Sequence, residues 1–165
     1  MAVGVAMGAA FAASEPVTDL HGERWVALAT IRVDGRPIVK KNSRTIGTSG
    51  ARPISLPSAA YRNWAKTAVY VVMAQWRALG RFTPVGGAQQ PVWLRCRFAL
   101  PKGGFADLSN LYEGIQDVLQ DAGVLHNDRW IAHHDGSRIV AADTPHVEVT
   151  VHVPVSVVPV RGAVA

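Results

Sequence analysis

The segment 146–153, with the sequence HVEVTVHV, alternates polar and apolar residues without interruption. Successive side chains of a β-strand point to opposite faces of a sheet, so this alternation predicts a strand whose buried face is made of valines. Segments 24–33 and 92–100 alternate less strictly, because each also has apolar residues on its second face. Three strands of this kind indicate a sheet with an apolar face that other elements must cover.

Two segments between these strands have the periodicity of amphipathic helices. Ser58 is placed to cap the first helix, in which apolar residues recur at helical spacing as far as Gly80. The second helix follows Asp107 and ends at Gly123, a residue type that suits the position after a helix. With a further short strand over 129–134, the pattern predicts an α/β or α+β fold. We expect a small mixed sheet of about four strands packed with two main helices.

The length and composition fit one globular domain. The chain has 165 residues, of which 48% are hydrophobic and 18% charged, and both values are ordinary for a globular fold. We predict a flexible N-terminal extension over 1–22 and a single domain over 23–165. The apolar start is interrupted by glycines and lacks a basic residue, which is atypical of an export signal, and no segment is long enough to span a membrane. These features predict a cytoplasmic protein. The single cysteine, Cys96, excludes an intrachain disulfide framework.

The charges are distributed unevenly along the chain. Residues 35–106 include no Asp or Glu but twelve of the seventeen basic residues, whereas residues 107–148 include eight acids and only two arginines. A basic surface attracts a polyanion, and a local acid cluster rejects it unless cations intervene. This arrangement favours metal-dependent attack on nucleic acid. Alternatively, the basic residues could be spread over all faces of the fold.

Residues 37–57 make up a polar segment rich in glycine, serine and basic residues, which predicts a long loop. Long loops inside compact domains are usually functional or mobile. Lys40, Lys41 and Arg44 could donate hydrogen bonds to phosphates from this loop, or they could simply be solvated.

The second predicted helix brings several acids towards one edge. Such a set of oxygen ligands could hold Mg²⁺, which keeps its remaining waters for a substrate. Alternatively, the first acid caps the helix and the others form a solvated face. The polar residues concerned are Asp107, Glu113, Asp117, Asp121, Asn127 and Asp128.

The order of elements and one central motif resemble the RusA family of Holliday junction resolvases. The motif is Asp107-Leu108-x-Asn110-Leu111, followed by Asp117-x-Leu119, Ala122-Gly123 and Asn127-Asp128. A weaker match is the basic, proline-containing segment Gly35-x-Pro37, Lys40-Lys41-Asn42 and Arg44. Together these matches extend over about residues 31–153.

The resemblance implies a small α/β endonuclease that acts as a symmetric homodimer. Such an enzyme uses Mg²⁺, with Mn²⁺ as an alternative, to resolve branched DNA by paired nicks during recombination and repair. The resemblance implies that Asp107 and Asp128 are catalytic, metal-binding aspartates, and that Asp117 or Glu113 completes the site. The residues expected to contact DNA are Lys40, Lys41, Arg44, Lys102 and Arg129.

Two positions depart from the family pattern. Ser109 stands where the family has its second motif aspartate, and Glu113 stands where it usually has a lysine. One interpretation is a rewired site, in which Glu113 supplies the carboxylate that Ser109 lacks. The other is weakened metal binding, in a protein that binds branched or single-stranded DNA without cutting it. A nuclease for other branched substrates would keep the same chemistry.

Overall fold

The computed structural model describes residues 15–39, 44–49, 52–104 and 106–157. These ranges form a six-stranded mixed sheet, a separate two-stranded hairpin and two helices. The predicted α+β class, a mixed sheet with two main helices, is confirmed, although the sheet has two more strands than expected. The elements are β1 Val17–Thr18, β2 Arg24–Asp34, β3 Arg44–Ser49, β4 Arg52–Pro57, α1 Ala59–Ala78, β5 Val92–Leu100, α2 Leu108–Asp121, β6 Ile131–His133, β7 Arg138–Ala141 and β8 His146–Pro154.

The strand β8 is central to the sheet and pairs antiparallel with β2 on one side and with β5 on the other. In register, Val149 lies opposite both Ile31 and Cys96, so three apolar side chains form one row across the sheet. The short strands β6 and β7 both run parallel to β5, and β1 extends the sheet beyond β2. The long strands have the bounds that their alternation predicts, to within one residue.

Both helices bury their apolar stripes in the core that covers this sheet face. α1 contributes Ala68, Val72 and Trp76, and α2 contributes Ile115 and Val118. α1 begins after Ser58, whose side chain accepts a hydrogen bond from the backbone N–H of Tyr61 at 3.1 Å, as the sequence predicts.

A second link joins α1 to the strand β2. The side-chain amide of Gln75 accepts a hydrogen bond from the backbone N–H of Arg32 at 3.1 Å and donates one to the carbonyl of Arg32 at 2.7 Å. Both backbone groups of Arg32 are therefore satisfied by a side chain, and α1 is held at a fixed position along β2.

The prediction of a long loop over residues 37–57 is wrong for most of that segment. β3 and β4 pair antiparallel in it, with Arg44 opposite Pro57 and Ser49 opposite Arg52. Backbone hydrogen bonds can join two strands of a ribbon without a continuous apolar face. The glycine, serine and proline residues interrupt the alternation that would predict these strands from the sequence.

The sheet also includes part of the stretch predicted as an extension over 1–22. Val17 and Thr18 pair with Trp25 and Arg24. The side chain of Asp19 accepts hydrogen bonds from two backbone N–H groups and from Nε1 of Trp25 at 3.0 Å. This segment is therefore joined to the domain by backbone and side-chain contacts.

Neither α1 nor α2, the two α-helices of the described ranges, is both long and apolar enough to cross a membrane.

Candidate functional site

Three carboxylates lie along one side of α2, which we call the acidic side of α2: Glu113, Asp117 and Asp121. They are four residues apart, so neighbouring members are separated by about 6 Å along the helix axis. Tyr61 of α1 donates a hydrogen bond from its hydroxyl to Oδ2 of Asp117 at 3.2 Å. Burial raises the pKa of Tyr61, and the charges of Asp117, Asp121 and Glu113 raise it further. All three carboxylates are therefore within electrostatic reach of one hydroxyl.

A groove lies between α1 and α2 beside these carboxylates, and we call it the α1–α2 groove. One part has a volume of about 310 Å³ and is lined by Pro57, Tyr61, Ala65, Asp117, Val118, Gln120 and Asp121. The adjoining part has about 380 Å³ and is lined by Tyr61, Arg62, Ala65, Lys66, Val69, Tyr70 and Asp121. The α2 wall thus carries carboxylates and the α1 wall carries cations.

Asp107 is the N-cap of α2. Its Oδ1 accepts hydrogen bonds from the backbone N–H of Ser109 at 2.9 Å and from the Ser109 hydroxyl at 2.8 Å. Asp107 therefore caps the helix, and the hydroxyl of Ser109 adds a second hydrogen bond to the cap. Asp107 has further interactions besides these.

Asp128 is exposed and begins a short 3₁₀ turn, Asp128–Trp130, beyond the C-terminal end of α2. Its backbone N–H donates a hydrogen bond to Oε1 of Gln120 at 3.2 Å. The preceding residue, Asn127, caps the turn by accepting a hydrogen bond from the backbone N–H of Arg129 at 3.1 Å. Gln120 therefore positions Asp128 near the Asp121 end of the acidic side.

The two aspartates expected to be principal metal ligands are associated with different ends of α2. Gln120, which contacts Asp128, lies about 19 Å from Asp107 along the helix axis. Across the ranges given above, no three Asp, Glu, His or Cys side chains are close enough together to hold a metal ion. Mg²⁺ is usually bound by only one or two carboxylates together with substrate phosphates. Asp117 and Asp121, one turn apart on the same groove, supply such a pair.

The residues predicted to bind DNA occupy several places. Lys40 and Lys41 lie outside the described residues, and Arg44 begins β3. Lys102 is exposed in the turn after β5. Arg129 is exposed too, and its guanidinium group lies over the ring of Trp130, 4.6 Å from the centroid.

Sequence reasoning missed the contribution of α1 to this site. Helical periodicity places Tyr61 on the apolar face of α1, and Arg62 and Lys66 add only to the basic charge of residues 35–106. Their proximity to Asp121 arises from the packing of α1 on α2, which local periodicity does not reveal. The absence of any acid between residues 35 and 106 was the one signal that pointed to α1.

The two histidines that follow Asp128 in the sequence contact other groups. His133 lies 3.5 Å from a carboxylate oxygen of Asp19. The ring of His134 packs on Tyr112 at 4.4 Å, and burial lowers its pKa. Tyr112 lies about 100° around α2 from Glu113, so His134 packs beside another side of the helix.

No protein-family model matches this chain, and no curated protein matches it.

We predict that Asp107→Ala lowers the free energy of unfolding by about 1 kcal/mol, whereas Asp107→Asn leaves it nearly unchanged, because asparagine caps helices as well as aspartate does. Urea denaturation measures both. Asp143→Ala, at an exposed turn position, is the control and should change stability by less than about 0.5 kcal/mol. Equal stability of the wild type and Asp107→Ala would show that the cap is unimportant.

We also predict that Tyr61 ionises at a higher pH than an ordinary tyrosine, because burial and then the nearby carboxylates raise its pKa. Since the pKa in the folded state exceeds that in the unfolded state, the stability from the neutral hydroxyl is full below about pH 10 and is lost as pH rises above it. Ultraviolet titration of phenolate absorbance tests this with Tyr61→Phe, which should remove the highest step. Loss of a step near pH ~10 instead would contradict the assignment.

Proposed function

We propose that the protein is a Mg²⁺-dependent endonuclease that cuts branched DNA, and that the phosphodiester is cut at the acidic side of α2 in the α1–α2 groove. The observation that carries the proposal is the α1–α2 groove, which Asp117 and Asp121 line from α2 and Arg62 and Lys66 line from α1, with the Tyr61 hydroxyl bonded to Asp117. The resemblance of the central motif to the RusA family supports the same chemistry.

The opposite charges of the two groove walls explain why a cation would bind in the groove together with the DNA. Arg62 and Lys66 attract a phosphate, while the carboxylates of α2 repel it until a divalent cation lies between them. Asp117 and Asp121 are the pair that would hold Mg²⁺ together with substrate phosphate oxygens. When bound there, the ion supplies an activated water and neutralises charge on the phosphate.

The protein's own groups position these partners. The Tyr61 hydroxyl stays protonated and donates to Oδ2 of Asp117, so it orients that carboxylate. Ala65 and Val118 provide apolar parts of the groove wall. Arg62 and Lys66 stabilise negative charge that develops on the phosphate oxygens.

The proposal also includes Asp107 and Asp128, because the resemblance of the central motif to the RusA family implies that both aspartates are catalytic. The two aspartates would act near opposite ends of α2, with Lys102 and Arg129 close by in sequence. A symmetric homodimer would present one such site to each of two strands of a junction, which accounts for paired nicks. A cytoplasmic location is part of the same proposal.

A second candidate function is binding of branched DNA without cutting. The engagement of Asp107 Oδ1 by the Ser109 N–H and hydroxyl favours it, because a carboxylate oxygen that caps a helix has less capacity for a metal. In that case the basic residues would give affinity and the acids would serve the fold.

The test is cleavage of a synthetic four-way junction by the wild type, Asp117→Asn and Asp121→Asn, with Mg²⁺ and with Mn²⁺. We expect paired nicks from the wild type and a loss of rate of at least about 100-fold in each variant, since each loses a metal-binding carboxylate. Junction binding should be kept or tightened, because a repulsive charge is removed.

Asp143→Asn, which removes an exposed acid outside the groove, is the matched control and should cut at the wild-type rate. Unchanged cleavage by Asp117→Asn and Asp121→Asn would contradict the assignment of the groove. Junction binding by the wild type without nicks under either metal would establish the binding-only alternative.

A further inference from the structure

We propose that the outer face of α1 binds the phosphate backbone of a DNA duplex, as the surface that holds one arm of a branched substrate beside the groove. We call this surface the α1 stripe, and it consists of Arg62, Lys66, Tyr70 and Arg77. The inference rests on the proposed function for its substrate, but it concerns binding and not cleavage.

The four side chains share one face of the helix. At 100° per residue, positions 62, 66, 70 and 77 fall within an arc of about 80°, and positions 62 and 77 are about 22 Å apart along the axis. All four residues are exposed, and Tyr70 is 60% exposed. Arg62, Lys66 and Tyr70 also line the α1–α2 groove, so the stripe begins at the groove and continues away from it.

Two of the charges in the stripe, those of Arg62 and Lys66, do not stabilise the helix itself. α1 has no acidic residue, so none of its cations is offset within the helix. Arg62 and Lys66 form a like-charged pair one turn apart, which destabilises a helix slightly. Arg62 also lies in the first turn, where a cation opposes the helix dipole. A bound polyanion would turn each of these unfavourable contributions into a favourable one.

The cations of the stripe differ from the arginines of the sheet. On the sheet, Arg32 and Arg97 both pair with Glu148, at 3.2 and 3.0 Å. Neither Lys66 nor Arg77 forms an ion pair with any other described residue. Lys66 and Arg77 are therefore available to bind an anion, whereas the two sheet arginines are already paired with Glu148.

The length and composition of the stripe suit a duplex backbone. One strand of DNA presents a phosphate about every 3.4 Å along the helix axis, so a stripe of about 22 Å runs beside about six phosphates. The Tyr70 hydroxyl between the cations is a typical phosphate donor. Such contacts position the duplex and do not read its sequence.

An anionic membrane is the competing partner for a basic helix. Helices that lie on membranes insert an apolar face into the lipid. The apolar face of α1 is buried in the core through Ala68, Val72 and Trp76, so it is not available for lipid. The charge pattern therefore favours DNA.

The experiment compares the wild type with Lys66→Gln/Arg77→Gln for binding to a labelled duplex of about 20 base pairs and to a four-way junction. Fluorescence anisotropy is followed in EDTA between about 50 and 200 mM salt. We expect the slope of log K against log salt to fall by about 2 in magnitude, because each lost phosphate contact removes about 1, and the affinity near 100 mM salt to fall about tenfold.

The matched control is Arg24→Gln/Arg138→Gln, which removes two exposed positive charges outside α1 and should keep the wild-type slope. The α1 stripe is overturned by an unchanged slope in Lys66→Gln/Arg77→Gln or by an equal loss in the control. The proposal is also overturned if the variant loses affinity for phosphatidylserine vesicles but keeps its affinity for DNA.

The two proposals can fail separately in this design. A wild type that binds DNA through the stripe but never nicks a junction contradicts only the nuclease. A wild type that nicks junctions, with a variant of unchanged slope, contradicts only the stripe. A wild type that binds no DNA at any salt concentration contradicts both.

Discussion

The packing of β8 between β2 and β5 is the constraint on which the rest of the structure depends. Val147, Val149 and Val151 on its inner face are at most 1% exposed, and each buried valine contributes about 1.5–3 kcal/mol. A slip of one residue would turn these valines away from the core and separate Glu148 from its two arginines. Because the register is fixed, α1 and α2 each pack at one place on the sheet. This packing brings Tyr61 into contact with Asp117.

The candidate site arises where two helices with opposite charge meet. α1 carries basic residues and no acid, while the acidic side of α2 carries carboxylates at successive turns. Within each helix, like charges one turn apart repel each other. We propose that a phosphate and a divalent cation together would relieve both repulsions.

Much of the fold could be predicted from the sequence, because strict alternation and helical periodicity depend on local residues. The bounds of β5 and the Ser58 cap are examples. The hairpin of β3 and β4 could not, since its backbone pairing requires no continuous apolar pattern. For the site, the sequence placed the acids on one helix, but the contact of Tyr61 with Asp117 joins residues 56 positions apart and depends on how the helices pack.

The position of a bound Mn²⁺ ion is the most direct test of the claim that the acidic side of α2 holds the catalytic cation. Mn²⁺ replaces Mg²⁺ and broadens the NMR signals of backbone amides close to it. Titrated into the protein with a linear duplex, it should broaden signals centred on residues 113–121, and Asp117→Asn/Asp121→Asn should abolish this effect. Broadening centred on any other segment, or unchanged in the double variant, would contradict the account.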